Sequence, residues 1–247
     1  MNGPVRQVLV LGGGSAGWLT AGIIAAEHKN RISVTVVESP DVSTIGVGEG
    51  TWPSMRETLR KIGLSETRFL SECDGSFKQG SKFIAWRNAD DEEHYYHPFS
   101  LPHKFFETET AQLWSLQPEG RSFGEFVSPQ VPVCEANLAP KQVGTPEYAG
   151  VVNYGYHLDA GKFGELLRQH CVEELGVMHV QDHVNSVVAA EDGSIEALSC
   201  RQSGKIKADL FVDCSGSTSL LLGKHYGINF ESRAPILFND RALAVQV

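Results

Sequence analysis

The stretch Q-V-L-V-L-G-G-G-S-A-G-W-L-T-A-G-I-I-A-A-E-H at residues 7–28, followed by S-V-T-V-V-E at 33–38, decides the fold of this 247-residue chain. Residues 7–11 are apolar enough for a buried strand, and 33–37 form a β-branched run closed by Glu38. Between the two runs the pattern predicts a helix from Ala16 to about His28. Gly12, Gly14 and Gly17 occupy the three fixed places of G-x-G-x-x-G. In that motif the first glycine permits a tight turn, the second lets a pyrophosphate approach the backbone, and the third lets helix and strand pack closely. The free N–H groups at the helix start, around Ser15 and Ala16, offer the phosphates the positive end of the helix dipole. Glu38 stands 21 residues after Gly17, where an acid accepts hydrogen bonds from ribose hydroxyls. Strand, glycine turn, helix, strand and acid in this order read as a dinucleotide-binding βαβ start. The competing reading is a glycine-rich turn in an unrelated α/β protein.

Composition narrows the class. With 41% apolar and 21% charged residues the chain has the material for one large globular domain or two small ones. A net charge of −9 argues against broad binding to nucleic acid or anionic membranes. No stretch approaches the ~20 apolar residues that span a bilayer. Residues 1–6 lead straight into the first strand without a signal peptide, so a cytoplasmic location is expected. Five scattered cysteines (Cys73, Cys134, Cys171, Cys200 and Cys214) form no C-x-x-C pair and read as reduced thiols.

Further along, I-G-V-G-E-G-T at 45–51 places three glycines in five positions. Such a run suits backbone pressed against a flat or bulky group, or a flexible turn. Helices are expected over 53–62, ended by Gly63, and over 65–73 with Ser65 as N-cap. Residues 75–86 read as one strand, in which Lys78 and Lys82 share a face; on pattern alone such lysines are solvated edge charges. His94, His97 and His103 lie in a proline-containing loop and share no helical face, so no metal is expected there. Short helices near 106–116 and 123–127 are expected within an aromatic-rich insertion covering a cleft. Asp159 is placed to cap a helix over 160–175 that buries Phe163, Leu166, Leu167 and Cys171. Strands follow over 177–180, leading to Val184, then a hairpin of 187–190 and 195–199, and a strand over 205–213. The last ends in Asp213-Cys214-Ser215-Gly216 before a helix start at Ser217, a second nucleotide-compatible turn. Another strand begins at Asp240 and stops inside an apolar run, so the chain reads as the N-terminal part of something longer.

Six stretches taken together carry a family resemblance. They are G-G-G-S-A-G-W at 12–18, G-V-G-E-G-T at 46–51, F-K-Q-G-S-K-F at 77–83, Y-H-L-D at 156–159, D-L-F-V-D-C-S-G at 209–216 and N-D-R-A-L-A-V-Q-V at 239–247. With them the chain resembles the flavin-dependent tryptophan halogenases. The first and fifth are shared with other flavin monooxygenases; the second and third are more specific. The resemblance implies an α/β, FAD-binding Rossmann-like fold of the flavin monooxygenase type, with inserted β-sheet and helical elements. Its nucleotide-binding parts are expected at about 1–80 and 155–247, with the insertion at about 88–150. It implies FAD rather than NAD, held by Gly12, Gly14, Ser15, Ala16, Gly17 and Glu38, by Val47, Gly48 and Glu49 of a flavin-contacting strap, and by Val184 and Asp213. It also matches Lys78 to the family's catalytic lysine, which displaces the reading of a solvated edge charge.

In the family, FADH2 comes from a separate flavin reductase, and with oxygen and a halide ion, chloride or bromide, yields hypohalous acid. The lysine positions this acid or carries the halogen as a haloamine until an aromatic carbon attacks. The chemistry suits a lysine: an ammonium donates to the oxygen of hypohalous acid, and a free amine can be N-halogenated. The resemblance implies an aromatic small-molecule substrate, tryptophan by default, with no nucleic-acid or membrane partner, and is compatible with a homodimer. Two positions depart from the family: Gly50, where alanine is usual, and Trp52, where an aliphatic residue is usual. The W-x-W-x-I-P signature, the catalytic glutamate and most of the indole pocket are expected beyond Val247. A hydroxylating FAD monooxygenase and a non-catalytic FAD-binding module share the nucleotide motifs, and neither needs Lys78.

Overall fold

The alternating faces of the opening strands and the small-residue stripe of the first helix set the architecture. A computed structural model describes residues 3–42, 48–86, 93–102, 104–107, 109–117, 120–241 and 243. In chain order its first half contains β1 (Gln7–Leu11), α1 (Ser15–His28), β2 (Ser33–Glu38), β3 (Gly48–Gly50), α2 (Ser54–Lys61), α3 (Glu66–Glu72), β4 (Ser76–Lys78), β5 (Gly80–Ile84) and β6 (His94–Pro98). There follow α4 (Thr110–Ser115), α5 (Phe123–Val127), α6 (Gln130–Glu135), β7 (Gly155–Asp159), α7 (Ala160–Glu173), β8 (Met178–Gln181), β9 (Val184–Ala189), β10 (Ile195–Cys200), β11 (Gly204–Lys207) and β12 (Leu210–Asp213). The chain divides into two compact units. The first comprises residues 1–47, 61–63 and 160–247, and the second residues 48–60 and 64–159. Residues 48–60 and 64–80, expected with the nucleotide-binding part, thus group with the second unit.

In the first unit, β12, β1, β2 and β8 form a parallel sheet in that order. Parallel strands bury both faces, which is why β1 and β2 read as nearly continuous apolar runs. Leu9, Leu11 and Val37 pack on Ile195, Leu198 and Cys200 of the antiparallel meander β9–β10–β11. By alternation Val8, Val10, Val34 and Val36 present the opposite face, and all four are buried. α1 packs on both strands and against α7. Its buried stripe is Gly17, Trp18, Ala21, Gly22 and Ala25, and a Cβ on Gly22 would lie 3.1 Å from Cys171 Sγ of α7. The small residues of α1 therefore set a close helix–helix approach.

In the second unit β7 is the central strand of an antiparallel sheet ordered β3–β7–β4, while β5 pairs with β6. The expected strand over 75–86 is broken at Gln79–Gly80. Gly80 has a φ of 142°, and a Cβ there would lie 2.6 Å from His97 O, so the chain leaves one sheet and enters the next at a glycine. Lys78 and Lys82 therefore lie in different sheets, rather than sharing a face of one strand. The expected strand over 205–213 is likewise two, β11 in the meander and β12 in the parallel sheet. Asp209 makes the break: its Oδ2 accepts from the N–H groups of Arg6 at 2.8 Å and Gln7 at 2.9 Å. After Gly216 the chain forms a short 3-10 turn and a π-helical segment, Leu220–His225, in place of an α-helix. Asp240 and Arg241 are not in a strand, and most of the stretch beyond them lies outside the described residues. Among the described residues no helix is long and apolar enough to cross a membrane.

Candidate functional site

The parallel sheet brings the C-terminal ends of β1, β2 and β12 to one edge, which places Gly12, Glu38 and Asp213 there together. Open α/β sheets bind ligands at this edge. Gly12 has a φ of 115°, and a Cβ on it would lie 2.2 Å from Cys214 O. A Cβ on Gly17 would lie 1.9 Å from Gly12 O. These two glycines serve the chain's own packing. Gly14 is different: nothing lies within 4 Å of the position its Cβ would take. It precedes α1 without a side-chain cap, and the first helical turn, with Ser15, Ala16 and Gly17, holds no acid. The first N–H groups of a helix have no partner within it. Open space over Gly14 and first-turn donors that the helix leaves unpaired fit a pyrophosphate.

Glu38 closes β2. Its Oε1 accepts from His179 Nε2 at 2.6 Å, and the carboxylate accepts no other hydrogen bond among the described residues. His179 lies on β8, and its ring meets that of Trp18 edge-on, with centroids 5.1 Å apart. Asp213 is fully engaged by its own chain. Oδ1 accepts from the Ser215 N–H at 3.1 Å and hydroxyl at 2.6 Å, and Oδ2 from the N–H groups of Leu221 at 2.8 Å and Leu222 at 3.0 Å. Burial pushes the Asp213 pKa up, but these donors outweigh it and hold the group below its ordinary value. Asp213 thus shapes the turn after β12. Val184 opens β9, and its half-buried side chain packs on the Leu9–Leu11–Val37 cluster.

Lys78 lies in the second unit, at the end of β4, paired in register with Gly155 of β7. On the other edge of β7, Gly50 pairs with His157. Lys78 Nζ lies 2.9 Å from the point where a Cβ on Gly50 would sit, and His157 Nδ1 lies 3.5 Å from the same point. A glycine on β3 leaves the space into which the lysine folds. Nζ also stands 5.9 Å from the centroid of the Phe99 ring. Lys78 makes no hydrogen bond or ion pair among the described residues, whereas Lys82 is held by Glu135 at 2.8 Å. Desolvation, and then the Lys78 charge, lower the His157 pKa. Trp52 is 63% exposed and packs near Phe99 and His97, with centroids 5.6 and 6.4 Å away. Gly48 and Glu49 are exposed on β3, and Val47 lies outside the described residues.

Sequence reading alone missed His179, His157 and Phe99 as neighbours of the site residues. No local pattern marks them; only the pairings of β2 with β8 and of β3 with β7 bring two of them near. Among the described residues no group of three His, Cys, Asp or Glu side chains is placed to hold a metal ion.

The family model for tryptophan halogenase matches residues 7–247. The tryptophan 7-halogenase RebH of Lentzea aerocolonigenes is 33% identical over all of this chain and 49% of its own length. The tryptophan 6-halogenase ThaL of Streptomyces albogriseolus is 32% identical, with the same coverage. Among solved structures, a tryptophan halogenase from Shewanella frigidimarina NCIMB 400 superposes with a TM-score of 0.90 at 47% identity, over 96% of this chain and 47% of that one. The chain spans about half the length of these relatives. It belongs to the tryptophan halogenase family.

Proposed function

We propose that this chain is the flavin-binding part of an FAD-dependent halogenase acting on tryptophan or a related electron-rich aromatic compound. The observation that carries the reading is Lys78: a half-buried ammonium near the Phe99 ring, without an ion pair or hydrogen bond among the described residues. A lysine with no structural partner is available to a ligand. FAD, reduced by a separate flavin reductase, supplies with oxygen the oxidising power that turns chloride or bromide into hypohalous acid. The first turn of α1 and the open face of Gly14 hold its pyrophosphate, and Glu38 accepts from the ribose. Gly48 and Glu49 belong to the strap assigned to the flavin.

Lys78 then works in one of two protonation states. As an ammonium it donates a hydrogen bond to the oxygen of hypohalous acid and makes the halogen more electrophilic. As an amine its nitrogen takes the halogen while hydroxide and the amine proton leave as water. His157, with its pKa lowered, remains neutral at neutral pH and adds no second positive charge beside the lysine. The test is Lys78→Met, assayed with FAD, a flavin reductase, oxygen and bromide, with products read by mass spectrometry. Halogenated product should fall by about a hundredfold or more while reduced flavin continues to be consumed. Oxygenated product that survives the substitution would favour a hydroxylase.

A further inference from the structure

We propose that His179 is a positioning residue for a nucleoside ribose: it fixes Glu38 so that one carboxylate oxygen is left to accept from the 2′- and 3′-hydroxyls. The inference rests on the dinucleotide reading of the Gly12–Gly17 turn. A glutamate at a strand end has a mobile side chain, and ordering it on ligand binding costs free energy. Here the side chain is ordered beforehand. His179 Nε2 donates to Oε1 at 2.6 Å, in a pair whose side chains are only 14% and 19% exposed. The imidazole is itself fixed by its edge-on contact with Trp18, which is 1% exposed and lies on the helix that follows the glycine turn. Helix, acid and histidine are thus coupled through one buried indole.

Gly13 completes the device. It fills an unconstrained place in G-x-G-x-x-G, and its φ is not in the left-handed region. Yet a Cβ there would lie 1.4 Å from Glu38 Oε2, 2.2 Å from Cδ and 2.7 Å from Cβ. The acid occupies the space that a side chain at 13 would take. Any residue larger than glycine displaces the acid from its base up, and with it the oxygen not engaged by His179.

The test compares ADP with 2′,3′-dideoxy-ADP by titration calorimetry on the chain and its variants. The unsubstituted chain should prefer ADP by about tenfold, the value of one charge-assisted hydrogen bond. His179→Leu and Gly13→Ala should each cut that preference to about twofold or less, whereas His179→Gln, which keeps a donor, should retain most of it. A preference that persists in His179→Leu would overturn the proposal, as would affinities for both probes falling together with their ratio intact. So would equal affinity for both probes in the unsubstituted chain. If that chain binds neither ADP nor FAD, the dinucleotide reading of the turn fails and this inference falls with it.

Discussion

Lys78 and Lys82 lie four positions apart and meet opposite surroundings: one has Gly50, His157 and Phe99 beside it, the other an ion pair with Glu135. The charge of Lys78 is felt at His157, whose pKa is lowered by desolvation first and by that charge second. Replacing Lys78 with Met removes the charge and leaves the imidazolium less disfavoured. The His157 titration midpoint should therefore rise, read from its Cε1–H resonance by NMR. Asp182 gives the chain a second pH signature. Its carboxylate accepts from the N–H groups of His183 at 2.7 Å, Gln202 at 2.8 Å and Ser203 at 2.6 Å. Burial pushes its pKa up, but these donors prevail and bring it from 3.8 to about 2. A folded pKa below the unfolded one stabilises fully above the unfolded value and is lost as pH falls through the folded value. Between pH 3.8 and about 2 the native chain should therefore lose stability. The Asp182→Asn variant should show a shallower loss over the same window, measured by urea denaturation at successive pH values.

At the level of elements, what was legible in both units rests on local signals. Glycine turn, helix and acid recur as α1 and β2, Ser65 caps α3 through a 3.2 Å hydrogen bond from the Arg68 N–H, and Gly63 and Gly176 take positive φ after α2 and α7. What stayed illegible depends on pairing across distance. Alternation runs unbroken through Gln79 and Gly80 is the local mark of a break, but that β4 and β5 belong to different sheets follows only from their pairing with β7 and β6. No helix was expected over α6, where Pro132 sits in the first turn and its missing N–H costs nothing. Glu66 reads as an ordinary first-turn acid, favourable to the dipole of α3. In the structure it is 2% exposed and accepts from Lys141 Nζ at 2.6 Å, Tyr154 OH at 2.6 Å, Tyr156 OH at 2.7 Å and the Tyr148 N–H at 2.8 Å. One carboxylate thus ties α3 to β7 and to the 141–148 segment. Glu66→Ala leaves the Tyr156 hydroxyl and the Tyr148 N–H without an acceptor, and leaves Lys141 and Tyr154 only the carbonyls of Pro146 and Ala149. It should destabilise β7 by about 3 kcal/mol, read as faster hydrogen exchange of its amides. Glu66→Gln keeps an acceptor and should cost less.

At the scale of the whole molecule, the order of segments in the chain and their grouping in space diverge. The first unit draws on three separate stretches and the second on two, because the βαβ start and the strands after α7 must meet to complete one parallel sheet. That meeting places Gly12, Glu38 and Asp213 at one edge, from positions about 200 residues apart at the extremes. A ligand that binds this edge only when β1, β2 and β12 are assembled favours the folded unit by mass action. At a hundred times its dissociation constant, ADP should add about 2.7 kcal/mol to the stability of that assembly. Amides of β1, β2 and β12 that exchange through unfolding of the sheet should then slow by about a hundredfold, measured by hydrogen exchange with and without the nucleotide. The Gly12→Ala variant tests the same link from the other side. It forces a side chain to a φ of 115° and a Cβ to within 2.2 Å of Cys214 O, the carbonyl just past β12. The strain falls on the junction of β1 and β12 as well as on the turn proposed to hold the pyrophosphate. Both the basal protection of the sheet and its gain on adding ADP should therefore fall together.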